Sequence, residues 1–128
     1  MEQNEELKEE LFAWAERLCA YSGEDERFLQ TFWDKLLKNP EIYEEFAYYY
    51  RHRDFACKKK IEGVTIVDML VWQMDHFKAW LDRSPEFRTN KDRMLLQAFT
   101  AFLDMAENPQ EVLTRMQQET GTDYPGKV

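Results

Sequence analysis

The chain has 128 residues, 44% of them hydrophobic and 15% aromatic, enough for a buried core although 33% are charged. A formal net charge of −8 disfavours generic binding to nucleic acid or to an anionic membrane surface. Four glycines and four prolines, nearly all between periodic segments, argue against a many-stranded sandwich, and Cys19 and Cys57 are too few for a disulfide framework.

No run of about 18 apolar residues occurs. The opening MEQNEELKEE is acidic rather than a basic leader followed by an apolar stretch. The expectation is a soluble, cytoplasmic protein with both cysteines reduced and buried.

A first helix is predicted over Asn4 to Tyr21, where Leu7, Leu11, Trp14, Leu18 and Tyr21 form one apolar seam and Gly23 supplies the stop. A second runs from about Glu24 to Lys38, with Phe28/Leu29, Phe32/Trp33 and Leu36/Leu37 in i, i+4 steps. Asn39-Pro40-Glu41 ends it and starts a third. Ser84-Pro85-Glu86 and Asn108-Pro109-Gln110-Glu111 have the same form: a capping side chain that accepts from an orphan N–H, proline at the first helical position, and an early acid.

The third helix carries Ile42, Phe46, Tyr49, Tyr50 and Cys57 on one face, with Arg53 in the middle of it. A guanidinium there needs a partner, or the helix must end near Arg51; the break is the preferred reading. KKKIEGV (58–64) reads as a loop hinged at Gly63. Thr65 with Asp68 forms an Asp variant of the capping box for the most apolar helix, 66–83, whose Asp68, Asp75 and Asp82 mark the solvent side together with Trp72.

Ser84-Pro85 opens a short turn, and Thr89 with Asp92, or Asn90, caps a longer helix through Ala106. Its Leu95, Phe99, Phe102 and Ala106 form one seam; Met94, Ala98, Ala101 and Met105 form a soft second face, suited to close packing inside the monomer or across a dimer axis. A last helix, Pro109 to Glu119, ends at Gly121. The reading is therefore an all-α bundle of five to six mostly antiparallel helices around the 66–83 helix, one domain over residues 1–120 and a flexible tail over 121–128.

No catalytic, metal or cofactor motif is present. Tyr49 and Gln73 stand three residues before His52 and His76, where a di-iron bundle requires glutamate, and no zinc spacing occurs. Cys57 and His52 diverge on a helix, and the glycine-rich nucleotide and nucleophile-elbow signatures are missing.

Two anomalies remain. RHRDFACKKK (51–60) holds five of the 17 basic residues against one of the 25 acids and follows Tyr48, Tyr49 and Tyr50. Tyr48, Phe55 and Trp72 are aromatic residues off the apolar seams. The function expected first is a non-catalytic interaction or regulatory module, with a protein partner or a second copy of itself, contacted through Tyr48, Phe55 and Trp72. The alternative binds an anionic ligand or single-stranded nucleic acid through segment 48–60, using Arg51, Arg53, Lys58, Lys59 and Lys60. A third, a small-ligand carrier or helical enzyme, requires a pocket enclosing Arg53, Gln73 or His76, polar groups that project onto apolar faces.

Overall fold

The computed structural model describes the backbone of residues 2–83 and 87–125, with side chains from 5–74 and 91–125. Among the described residues six helices follow in order: α1 (Glu2–Tyr21), α2 (Glu26–Lys38), α3 (Pro40–His52), α4 (Ile66–Arg83), α5 (Phe87–Glu107) and α6 (Pro109–Thr120). Among the described residues there is no strand, only an isolated bridge between Ile61 and Val64. No described helix is long and apolar enough to cross a membrane.

The expected punctuation falls in the right places by partly different bonds. α2 starts two residues later than anticipated because Asp25 caps it, its carboxylate accepting from the Phe28 N–H at 2.9 Å. Pro40 and Pro109 open α3 and α6, yet neither Asn39 nor Asn108 makes a side-chain cap bond. Asn39 instead donates from Nδ2 to the Lys35 carbonyl at 2.8 Å, closing the end of α2. The capping box at α4 forms as predicted: Thr65 N–H donates to Asp68 Oδ2 at 3.0 Å, and Asp68 N–H to Thr65 Oγ1 at 3.1 Å.

No new helix begins at Thr89 or Asn90, because the backbone of α5 runs unbroken through both. Their low helix propensity is a weak preference that the packing of a long helix overrides. Ser84, Pro85 and Glu86 lie outside the described residues.

The centre of the bundle is α5, which packs on α1, α2, α3, α4 and α6, whereas α4 packs chiefly on α5 and α6. The reason is visible along α5: Met94, Leu95, Leu96, Ala98, Phe99, Ala101, Phe102, Leu103 and Met105 are all buried. A helix apolar on nearly every side stabilises the fold only when surrounded. Its soft Met94/Ala98/Ala101/Met105 face is consumed inside the monomer and offers nothing to a dimer axis. The Phe99 ring meets Phe46 of α3 edge-on at 5.1 Å, and Phe46 in turn lies 4.5 Å from Trp14 of α1. This aromatic chain ties three helices together and sets the floor of the site described next.

Candidate functional site

α3 stops where its apolar stripe meets Arg53. That residue adopts the left-handed conformation (φ 56°, ψ 36°) and its N–H donates to the Tyr49 carbonyl at 2.8 Å. Glycine is the usual residue in such a cap, and an L side chain there costs about 1–2 kcal/mol. Cys57 and Glu62 also have positive φ, so three strained non-glycine residues fall in one junction between α3 and α4. Glu62 and Gly63 form the corner of the tight turn that the Ile61–Val64 bridge closes.

Glu45 holds this junction in place. It is 4% exposed, and its two carboxylate oxygens accept from the Ala56 N–H at 2.6 Å and the Cys57 N–H at 2.7 Å. Phe55 is half-buried beneath the same segment, its ring 4.7 Å from Tyr49 and 6.2 Å from Phe99. Burial, then the nearby Glu45 carboxylate, pushes the Cys57 thiol upward against weaker hydrogen bonds from Val67 and Thr65. A protonated thiol is a poor nucleophile.

The basic cluster is split by the fold. Lys59 pairs with Glu41 at 3.3 Å, and Lys58 and Lys60 are exposed. Arg51 and His52 point to a groove on the outer side of α3, where the His52 ring lies 4.4 Å from Tyr48. Arg53 turns the other way. Its guanidinium carbon stands 5.8 Å from the Trp14 ring centroid, within cation–π range.

There Arg53 joins Arg17 of α1 and Lys91 of α5 around a two-lobed cleft. The outer lobe, about 390 Å³, holds the three cations, Tyr21 and Asp92. The inner lobe, about 190 Å³, shares Arg53, Lys91 and Asp92 with the outer one and adds Leu70, Met74, Met94 and Leu95. Trp14 and Tyr49, stacked at 5.9 Å with ring planes 15° apart, form the floor common to both. Among the described residues no carboxylate lies at ion-pair distance from Arg17, Arg53 or Lys91. Three unpaired cations against Asp92 give this cleft a positive balance in a chain of net charge −8.

The remaining expected residues fall elsewhere. Trp72 is not a surface aromatic: it is 3% exposed, and its indole N–H donates to Thr120 Oγ1 at 2.7 Å and Thr122 Oγ1 at 3.0 Å. The C-terminal end of α6 covers it, and Tyr124 beyond packs on the core as well. Tyr48 is 39% exposed, beside Leu37 at 40%, in the outer groove of about 560 Å³. Gln73 is buried and lines a different cavity from Arg53. The His76 side chain lies outside the described residues. Among the described residues no three His, Cys, Asp or Glu side chains gather as a metal-ligand group.

Arg17, Lys91 and Glu45 escaped sequence reasoning. Glu45 reads as one more solvated acid beside Glu41 and Glu44 until its two N–H partners are seen. Arg17 and Lys91 lie on helices far apart in sequence, and nothing local marks either as a partner of Arg53. Neither a family model, nor a curated protein, nor a solved structure matches the chain.

Proposed function

We propose that this chain is a non-catalytic binding module whose α1–α3–α5 cleft takes an anion carrying an apolar body. The observation that carries this reading is Arg53: a strained arginine at a position that favours glycine, laid over Trp14 in a cleft that Arg17 and Lys91 also line. The charge would meet the three cations while the apolar part enters the methionine-walled inner lobe, whose soft side chains adapt to its shape.

Naphthalene-2-sulfonate, compared with neutral 2-naphthol, tests this in titrations of the ¹⁵N-labelled chain. The sulfonate should shift the Trp14 indole resonance saturably, and more weakly as salt rises. Arg53→Gly should weaken binding about tenfold, the equivalent of one charge-assisted hydrogen bond. Because glycine relieves the left-handed strain, that variant should be at least as stable as the parent, so loss of binding cannot be loss of fold. Substituting Lys58, Lys59 and Lys60 by alanine should leave binding unchanged. Equal binding of sulfonate and naphthol, or an unaffected Arg53→Gly variant, rejects the reading.

A second reading, self-association, draws on the outer face of α3. Glu44, Ala47, Tyr48 and Arg51 line one groove there, and Tyr48 with Leu37 is exposed. Two copies of α3 antiparallel about a two-fold axis between Ala47 and Tyr48 would set Glu44 opposite the partner's Arg51, and small Ala47 opposite large Tyr48. Light scattering behind size exclusion should show a dimer that either Glu44→Arg or Arg51→Glu disrupts and the double swap restores. A parent monomeric throughout the concentration range excludes it.

A further inference from the structure

Arg17, Arg53 and Lys91 do not offer an anion the same thing. A guanidinium presents its N–H donors in a planar fork that matches paired oxygens, whereas an ammonium is a compact point charge. Among the described residues neither Arg17 nor Arg53 donates from its side chain to a protein acceptor, so both forks are open. All three side chains are exposed, and their donors are within reach of a ligand in the cleft.

Asp92 is the one acid among the cleft's described lining residues, and it forms no ion pair with the cations. Three cations against it leave two positive charges in excess. Beneath them the lining is apolar and closed, with Trp14 6% and Leu18 3% exposed. Low-dielectric walls under charges of one sign focus the field into a cleft.

A carboxylate or a sulfonate would neutralise half of that excess. A phosphate monoester carries close to two negative charges at neutral pH and three terminal oxygens. The two oxygens of a carboxylate are taken up by the first arginine fork. Three oxygens give each fork a pair and leave lone pairs for Lys91.

We infer that the anion taken by this cleft is a phosphate monoester in its dianionic form, borne on an apolar body that enters the inner lobe. This assignment rests on the anion-binding reading above and narrows it to one class of ligand.

2-Naphthyl phosphate, naphthalene-2-sulfonate and 2-naphthoate share one body and differ in charge and oxygen count. Titrated into the ¹⁵N-labelled chain at about pH 7.5, the phosphate should bind about tenfold more tightly than the sulfonate, read at the Trp14 indole, and the naphthoate most weakly. Lowering the pH to about 5 protonates the ester, whose second pKa is near 6, and should erase its advantage. The sulfonate keeps its charge over that range, so titration of any lining group (Tyr21, Tyr49, Asp92 or the cations) would show in the sulfonate too. Arg17→Gln, at an exposed position, should narrow the phosphate-to-sulfonate ratio to about threefold, because a cation attracts a dianion about twice as strongly as a monoanion. Inorganic phosphate, which lacks the body, should bind more weakly than the ester.

Phosphatidylcholine vesicles with and without phosphatidic acid distinguish a soluble ester from a lipid headgroup. With a net charge of −8 the chain should sediment with neither; sedimentation with the phosphatidic acid vesicles alone would place the same ester on a lipid. A sulfonate that binds as tightly as the naphthyl phosphate, or a phosphate affinity that does not fall as the pH is lowered, overturns the dianion and leaves the anion-binding reading standing. Inorganic phosphate binding as tightly as the ester, or an unchanged ratio in Arg17→Gln, overturns it as well. If neither the phosphate nor the sulfonate binds, both fall.

Discussion

Glu45 shows how one side chain can organise a junction that carries little regular structure. Its carboxylate is almost wholly buried and opposed by two backbone N–H groups rather than by a cation. Each such charge-assisted bond is worth about 1.5–3 kcal/mol, and their loss would leave the Ala56 and Cys57 N–H groups without acceptors. Glu45→Ala should therefore cost about 3 kcal/mol in urea denaturation. Amide exchange at Ala56 and Cys57 should accelerate well beyond that of the core of α5. Since the same segment follows Arg53, the variant should also loosen the guanidinium from Trp14. A stability change below about 0.5 kcal/mol, the range of ordinary surface substitutions, would show that the junction is held by Phe55 alone.

Among the elements, those defined by short-range chemistry were legible and those defined by long-range packing were not. Thr65 and Asp68 satisfy each other within three residues, so the start of α4 follows from the sequence directly. The end of α3 was equally legible, because a guanidinium in an apolar stripe forces either a partner or a break, and Arg53 supplies the break. Trp72, expected on the solvent side, is buried for the opposite reason. Its indole N–H is satisfied by Thr120 and Thr122, 48 and 50 residues away, at a helix end whose position no local pattern ties to α4. The cleft follows the same rule: the sequence shows Arg53 as a cation on an apolar stripe, but Arg17 and Lys91 join it only through the packing of α1, α3 and α5. Gln73 is legible as polar on an apolar face, whereas nothing local marks the Ser22 hydroxyl, whose oxygen is likewise buried without a partner.

At the scale of the whole molecule, every shift in proton affinity among the described residues runs the same way. Burial, then Glu24, pushes the Cys19 thiol from 9.0 up to about 11. Burial also raises Cys57 and Tyr43, with Glu45 and Glu5 adding to it, and the hydrogen bond to Asp104 raises Lys35. A group that binds its proton more tightly when folded contributes stability that is complete below its unfolded value. That contribution fades as pH climbs through the folded one. The molecule should therefore lose stability on the alkaline side, with Cys19, 2% exposed in the core, the largest single source. Its shift corresponds to about 2–3 kcal/mol, lost progressively between roughly pH 9 and pH 11. Urea midpoints measured across that range should fall steeply for the parent and more gently for Cys19→Ala. That variant starts lower at neutral pH because it leaves a small cavity between α1 and its neighbours. Parallel profiles for the two proteins would mean that the alkaline loss comes from elsewhere, and a flat parent profile would mean that burial of this thiol costs the folded state nothing.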